Sequence, residues 1–128
     1  MSARPDRDEM SGLLETAMEA LALPLLLHDE DNIVFVNAAG REILGAATRA
    51  DIEGLSLDSF ATPDLTPFTQ ERRAYLLRDR VAFTDVPIKM NTLDGRTVHL
   101  TVDARPVLFE GKTFGLVTVV RQTRDERS

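Results

Sequence analysis

The chain has no cysteine. Disulfides, thiol nucleophiles, thiolate metal sites and cysteine-linked chromophores are therefore all excluded. It also lacks any apolar run near the roughly twenty residues that cross a bilayer, so a soluble protein without membrane contact is expected. Residues 1–12 are polar and mixed in charge rather than basic then apolar, so no secretory leader is expected and the cytoplasm is the expected location. An excess of basic residues is missing as well: the net charge of −6 argues against direct contact with nucleic acid or an anionic membrane surface.

What is present points to one domain with one core, since 128 residues at 43% hydrophobic content suit an ordinary globular fold. The organising stretch is Pro24–Gly45. Leu25–Leu27 and Ile33–Val36 are short apolar runs, and the acidic cluster Asp29-Glu30-Asp31-Asn32 between them supplies turn chemistry. A tight hairpin follows. Asn37 has the side chain of a helix N-cap and Gly45 suits a left-handed C-terminal residue, which predicts a short helix over Ala38–Leu44.

Before this stretch, Met10, Leu14, Ala17 and Leu21 recur at helical spacing, widened by Leu13, Met18 and Ala20, with Glu15 and Glu19 off the stripe. Pro24 stops that helix. The stripe either packs on its own domain or associates with a second copy through Met10, Leu14, Ala17, Met18 and Leu21. Between Asn37 and Val81 there is no strand signal, and so long a structureless loop would be improbable, so helices are expected. Single turns at Asp51–Gly54 and Leu55–Phe60 and a helix from Pro67 to about Arg80, capped by Thr66, fill this region. Phe68, Arg72 and Tyr75 are expected on one face of that helix, with Leu76 adjacent.

The last third alternates as strands. Val86, Ile88 and Met90 form one inward row, and Val98, Leu100, Val102 and Ala104 another, joined by Asp94-Gly95 as a two-residue hairpin with positive φ at both central positions. Glu110-Gly111 reverses the chain into Phe114–Val120. That strand is apolar on both faces, which predicts a central strand covered on both sides, with the Met10–Leu21 helix of this or a partner chain as the candidate cover.

This order, carried by Pro24…Asp29…Ile33…Val36-Asn37-Ala38-Ala39…Leu44-Gly45, Gly54, Asp94-Gly95-Arg96 and the close Val119-Val120-Arg121, resembles the PAS domain family over roughly Leu21–Thr123. The resemblance implies an α+β fold: a PAS-like five-stranded antiparallel sheet with a helical insert between strands 2 and 3 and an N-terminal amphipathic helix. It divides the chain into a tail and possible dimerisation helix (1–23), the PAS-like domain (24–123) and a C-terminal tail (124–128). It implies a sensory or dimerising module of histidine-kinase or transcriptional-regulator type, a homodimer, and an output domain or signalling partner outside this chain. The family's closing Asp-x-Thr is reduced here to Arg121-Gln122-Thr123, which keeps the threonine alone. The implied cavity would use Phe35, Ile43, Phe68, Arg72, Tyr75, Leu76, Ile88, Met90, Val102 and Leu116, and could hold a small carboxylate or aromatic ligand.

Each candidate site has a plainer reading. Tyr75 and Phe68 could be core, with Arg72 reaching solvent over their edges. The members that bond a flavin covalently or carry a thioester-linked chromophore need a cysteine, so both are excluded. A haem is not expected, because Pro67–Arg80 has no histidine and His28, at a turn, and His99, on a polar strand face, read as exposed. Asp29, Glu30 and Asp31 read as a solvated turn rather than a metal site. Catalysis is not expected, because the inward strand positions carry no acid or base. The alternatives are a purely structural homodimerisation domain without ligand and, further off, a small α+β isomerase or hydrolase.

Overall fold

The computed structural model describes residues 6–62 and 66–127, with the side chains of residues 7, 66–68 and 124–127 outside the description. The elements run α1 (Arg7–Ala20), β1 (Leu25–His28), β2 (Ile33–Val36), α2 (Ala38–Leu44), two 3-10 turns (Arg49–Asp51 and Leu57–Phe60), α3 (Thr66–Arg78), β3 (Phe83–Asn91), β4 (Arg96–Phe109) and β5 (Lys112–Arg127). The strands form one antiparallel sheet in the order β2-β1-β5-β4-β3. The expected architecture is thus present, with the helical insert between β2 and β3. No helix among the described residues is long and apolar enough to cross a membrane.

Local chemistry explains the first half. Asp29 Oδ1 accepts from the backbone N–H groups of Asp31 (3.0 Å) and Asn32 (2.8 Å), which closes the β1–β2 turn. Asn37 caps α2 by accepting from Gly40 N at 2.9 Å, and Gly45 ends it at φ 76°. The two later hairpins exchange the expected turn chemistry. At Asp94-Gly95 only Gly95 has positive φ, and the bond from Gly95 N to Thr92 O makes a turn followed by a left-handed glycine. At Glu110-Gly111 both residues have positive φ (50° and 78°), so this is the two-residue hairpin.

The core lies between the concave face of the sheet and the helical insert. Ile33, Val36, Ile52, Phe60 and Val98 are essentially inaccessible, joined by Leu26, Leu44, Leu100 and Val102. β5 is central, between β1 and β4, as its two-sided apolar pattern predicts. This chain's own α1 does not cover its outer face. Instead α1 packs against α2, held by Arg41 to Glu19 (2.8 and 2.9 Å), while Arg49 of the first 3-10 turn pairs with Glu15 at 2.6 Å. These ion pairs draw on Glu15 and Glu19, which the apolar stripe alone assigns to solvent.

Candidate ligand-binding site

Between α2, α3 and the concave sheet face lies a cavity of about 170 Å³. Its sheet wall is Leu26, Leu100, Val102, Ala104, Val117 and Val119, with Val86, Ile88 and Met90 from β3. Strand alternation puts these side chains on one face: Leu26 pairs with Val117, Ala104 with Val117, and Val102 with Val119. The helical wall is Gly40, Ile43 and Leu44 from α2, then Thr69, Arg72, Arg73 and Leu76 from α3. The lining is mostly apolar, and the volume matches apolar cavities of roughly 150 Å³ that accept one benzene ring.

Of the sequence-expected pocket residues, Ile43, Arg72, Leu76, Ile88, Met90 and Val102 are brought together around the cavity. Phe35, Tyr75 and Leu116 are not. Phe35 pairs with Leu27, on the sheet face opposite Leu26, and its ring packs under Arg49 at 4.9 Å. Leu116 also pairs with Leu27 and so shares that outer face. Tyr75 is 44% exposed because the inward face of α3 is set by Thr69, Arg72, Arg73 and Leu76, one position out of phase with it. The Phe68 side chain lies outside the described residues. Among the expected interface residues on α1, Met10, Leu14, Ala17 and Leu21 are exposed and Met18 is half-buried.

His28 overturns its exposed reading. It ends β1, is 4% exposed and lines the cavity, while His99 is half-buried on β4. His28 faces Gly115 across the β1–β5 ladder. A Cβ built on Gly115 would stand well under 3.0 Å from Nε2 and Cε1 of His28 and 2.9 Å from Cδ2 of Leu76. The glycine therefore makes the slot in which the imidazole lies. His28 Nδ1 is 2.8 Å from the carbonyl oxygen of Asp29, and since a carbonyl can only accept, Nδ1 carries the proton. Burial, with Arg73 nearby, pushes the His28 pKa down, so the ring is neutral near pH 7 and Nε2 presents a lone pair.

The two arginines of α3 differ. Arg73 is tied to Asp58 at 3.2 Å, and Asp58 also accepts from Gln70. Arg72 is half-buried on the cavity wall and engages no hydrogen bond or ion pair among the described residues. Asp29 is held below the usual carboxylate range by its turn hydrogen bonds, and no group of three acidic or histidine side chains suited to a metal occurs among the described residues.

Asn37 adds a second tie between α2 and α1, beside the Arg41–Glu19 pair. Asn37 is fully buried, and its Oδ1 accepts from Leu25 N (3.0 Å) as well as Gly40 N, while Nδ2 donates to the carbonyls of Met18 (2.9 Å), Leu23 (2.9 Å) and Leu21 (3.4 Å). The expected helix cap is thus also a clamp on the end of α1. At the far end of α2, Leu93 N donates to Leu44 O and Arg96 to Ile43 O, so the β3–β4 hairpin grips the same helix.

A helical insert folded over the concave face of a five-stranded 2-1-5-4-3 sheet agrees with the family model for the PAS domain, which matches residues 23–123. The chain belongs to the PAS domain family. Among solved structures, this PAS domain is similar to that of an HTR-like protein from Haloarcula marismortui (22% identity, 91% of this chain and 93% of that one, TM-score 0.70). It is similar also to a PAS domain from a two-component sensor histidine kinase (13%, 91% and 98%, TM-score 0.69). A third is the PAS domain of nitrogen regulation protein NR(II) from Vibrio parahaemolyticus (21%, 87% and 98%, TM-score 0.65). At these identities the likeness is one of fold. No curated protein matches the sequence.

Two features of the PAS cavity here escape sequence reading: the burial of His28 and the second role of Asn37. The available signal for the first is Gly115, a glycine inside an apolar central strand, which marks close approach of another group. Nothing local signals the second, since the carbonyls that Asn37 meets belong to a segment ended by Pro24.

Proposed function

We propose that this PAS domain is a non-catalytic sensory module. A small molecule occupies the cavity between α2, α3 and the sheet, and occupancy biases α1 and, through it, an output domain or signalling partner of histidine-kinase or transcriptional-regulator type. The observation that carries this reading is continuity: α2 supplies Gly40, Ile43 and Leu44 to the cavity wall, and its N-cap Asn37 holds the carbonyls of Met18 and Leu23 at the end of α1. A ligand that favours one placement of α2 would therefore favour one placement of α1, which is what a differential-affinity switch requires. Kinship with PAS domains of sensor proteins supports the reading. A cytoplasmic site of action accords with it.

The enzyme alternative is weaker on chemistry. His28 is a titratable cavity group, but its Nδ1 is tied to a backbone carbonyl rather than oriented by a carboxylate, and Asp58 is engaged by Arg73. Homodimerisation through α1 is compatible with sensing and has its own support. Leu13 and Leu14 on α1 and Leu21 at its C-cap are 57, 55 and 47% exposed, apolar side chains left uncovered among the described residues.

Native mass spectrometry of freshly purified protein tests the sensor reading. Retained mass of a small organic molecule is expected; a clean apo mass together with no saturable uptake of any small ring compound would leave only the structural-domain alternative.

A further inference from the structure

The cavity's polar groups specify a ligand class, on the reading that it is a ligand site. Its interior is apolar and ring-sized, so the body of the ligand is a single hydrophobic ring. Arg72 is the unengaged cation on its wall among the described residues, because Arg73 is neutralised by Asp58. Lys89 also borders the cavity, but it alternates with Ile88 and Met90 and pairs with His99 on the other face. One free guanidinium supports one carboxylate, and a second anionic charge would be desolvated without a partner. His28 Nε2 is an acceptor without a partner among the described residues, beside Leu76 and Gly115. Leu76 lies one turn beyond Arg72 on α3, about 6 Å along the axis. Arg72 and His28 thus border the cavity at different levels of α3, which places the ligand's donor away from its acid rather than beside it.

We propose that the cavity takes a single-ring aromatic monocarboxylate with a hydrogen-bond donor opposite the acid, the carboxylate held by Arg72 and the donor by Nε2 of His28. The ring lies between Ile43 and Leu76 on the helical side and Ile88 and Val102 on the sheet. Neutral rings enter by the hydrophobic term alone, and dianions are rejected.

Isothermal titration with 4-hydroxybenzoate, benzoate, 4-cresol and toluene tests this on the full chain. For the wild type, 4-hydroxybenzoate is expected to bind about tenfold or more tighter than either benzoate or 4-cresol, each of which lacks one polar contact. Arg72→Gln is expected to abolish the advantage over 4-cresol while leaving 4-cresol binding unchanged, which also shows that the variant is folded. His28→Gln, which keeps an acceptor, is expected to retain part of the advantage over benzoate, and His28→Phe to lose it. If 4-cresol or toluene binds as well as the acids, or Arg72→Gln leaves the preference intact, the ligand class is wrong while the sensory cavity stands. If no probe binds and native mass spectrometry gives a clean apo mass, the cavity reading falls with it.

Discussion

Gly115→Ala is expected to destabilise the protein, against what backbone preference alone would say. Gly115 lies in the central strand β5, and no left-handed φ requires glycine there. Exchanging an interior strand glycine for alanine would by itself gain roughly 0.5–1 kcal/mol from the unfolded chain. The new methyl, however, meets the His28 ring at well under 3.0 Å and Leu76 Cδ2 at 2.9 Å. The imidazole can move only toward the cavity it lines, and doing so breaks the bond from Nδ1 to Asp29 O. Overpacking of this kind costs about 1–3 kcal/mol, and loss of the Nδ1 bond about 1 more. The steric terms win, leaving a net loss of about 1–3 kcal/mol. For a chain of this length that lowers the thermal midpoint by roughly 4 to 11 °C. Urea denaturation of wild type, Gly115→Ala, His28→Ala and the double variant gives the coupling, which is expected to be most of that loss, because without the ring only the flexible end of Leu76 stands against the methyl. Equal stability of wild type and Gly115→Ala, or an undiminished penalty in the His28→Ala background, would refute the slot.

Asn37→Asp keeps acceptors for Leu25 N and Gly40 N but cannot donate to Met18, Leu21 and Leu23. Hydrogen exchange is expected to rise across α1 while the core strands stay protected, and Asn37→Ala is expected to lose at least about 2 kcal/mol, since it orphans both sets. His28 is held below its ordinary value of 6.5, so the unfolded chain binds the extra proton first as pH falls. Stability is therefore expected to be independent of this group above 6.5 and to decline below it until the folded value is passed. His28→Phe should flatten that part of the pH profile, and an identical acid slope in both proteins would contradict it. Sedimentation of the full chain and of a form starting at Ala22 is expected to give a dimer and a monomer; two monomers at high concentration would rule out the α1 interface.

The hairpin and capped helix of residues 25–45 were legible because their determinants are local. Asn37 and Gly45 sit at the ends they terminate, and the acidic turn bonds its own backbone. His28 was not legible, because its burial is set by Gly115, far along the chain and reached only once β1 pairs with β5. Tyr75 departs from its expected inward place for a related reason: α3 is polar enough that few positions fix its helical phase, and Leu76 rather than Tyr75 faces inward. An amphipathic stripe shows that α1 has an apolar face but not which surface it adjoins. The bonds of Asn37 and the Arg41–Glu19 pair decide that, placing α1 beside α2.

The central claim is that occupancy of the cavity changes the placement of α1. Methyl and amide NMR during titration with 4-hydroxybenzoate tests it most directly. Saturable shifts are expected at the Ile43, Leu76, Ile88 and Val102 methyls, and, at the same midpoint, at the Asn37 side-chain amide and the Met18 and Leu21 amides. Saturable shifts at the cavity methyls with no change at Asn37 or α1 would contradict it.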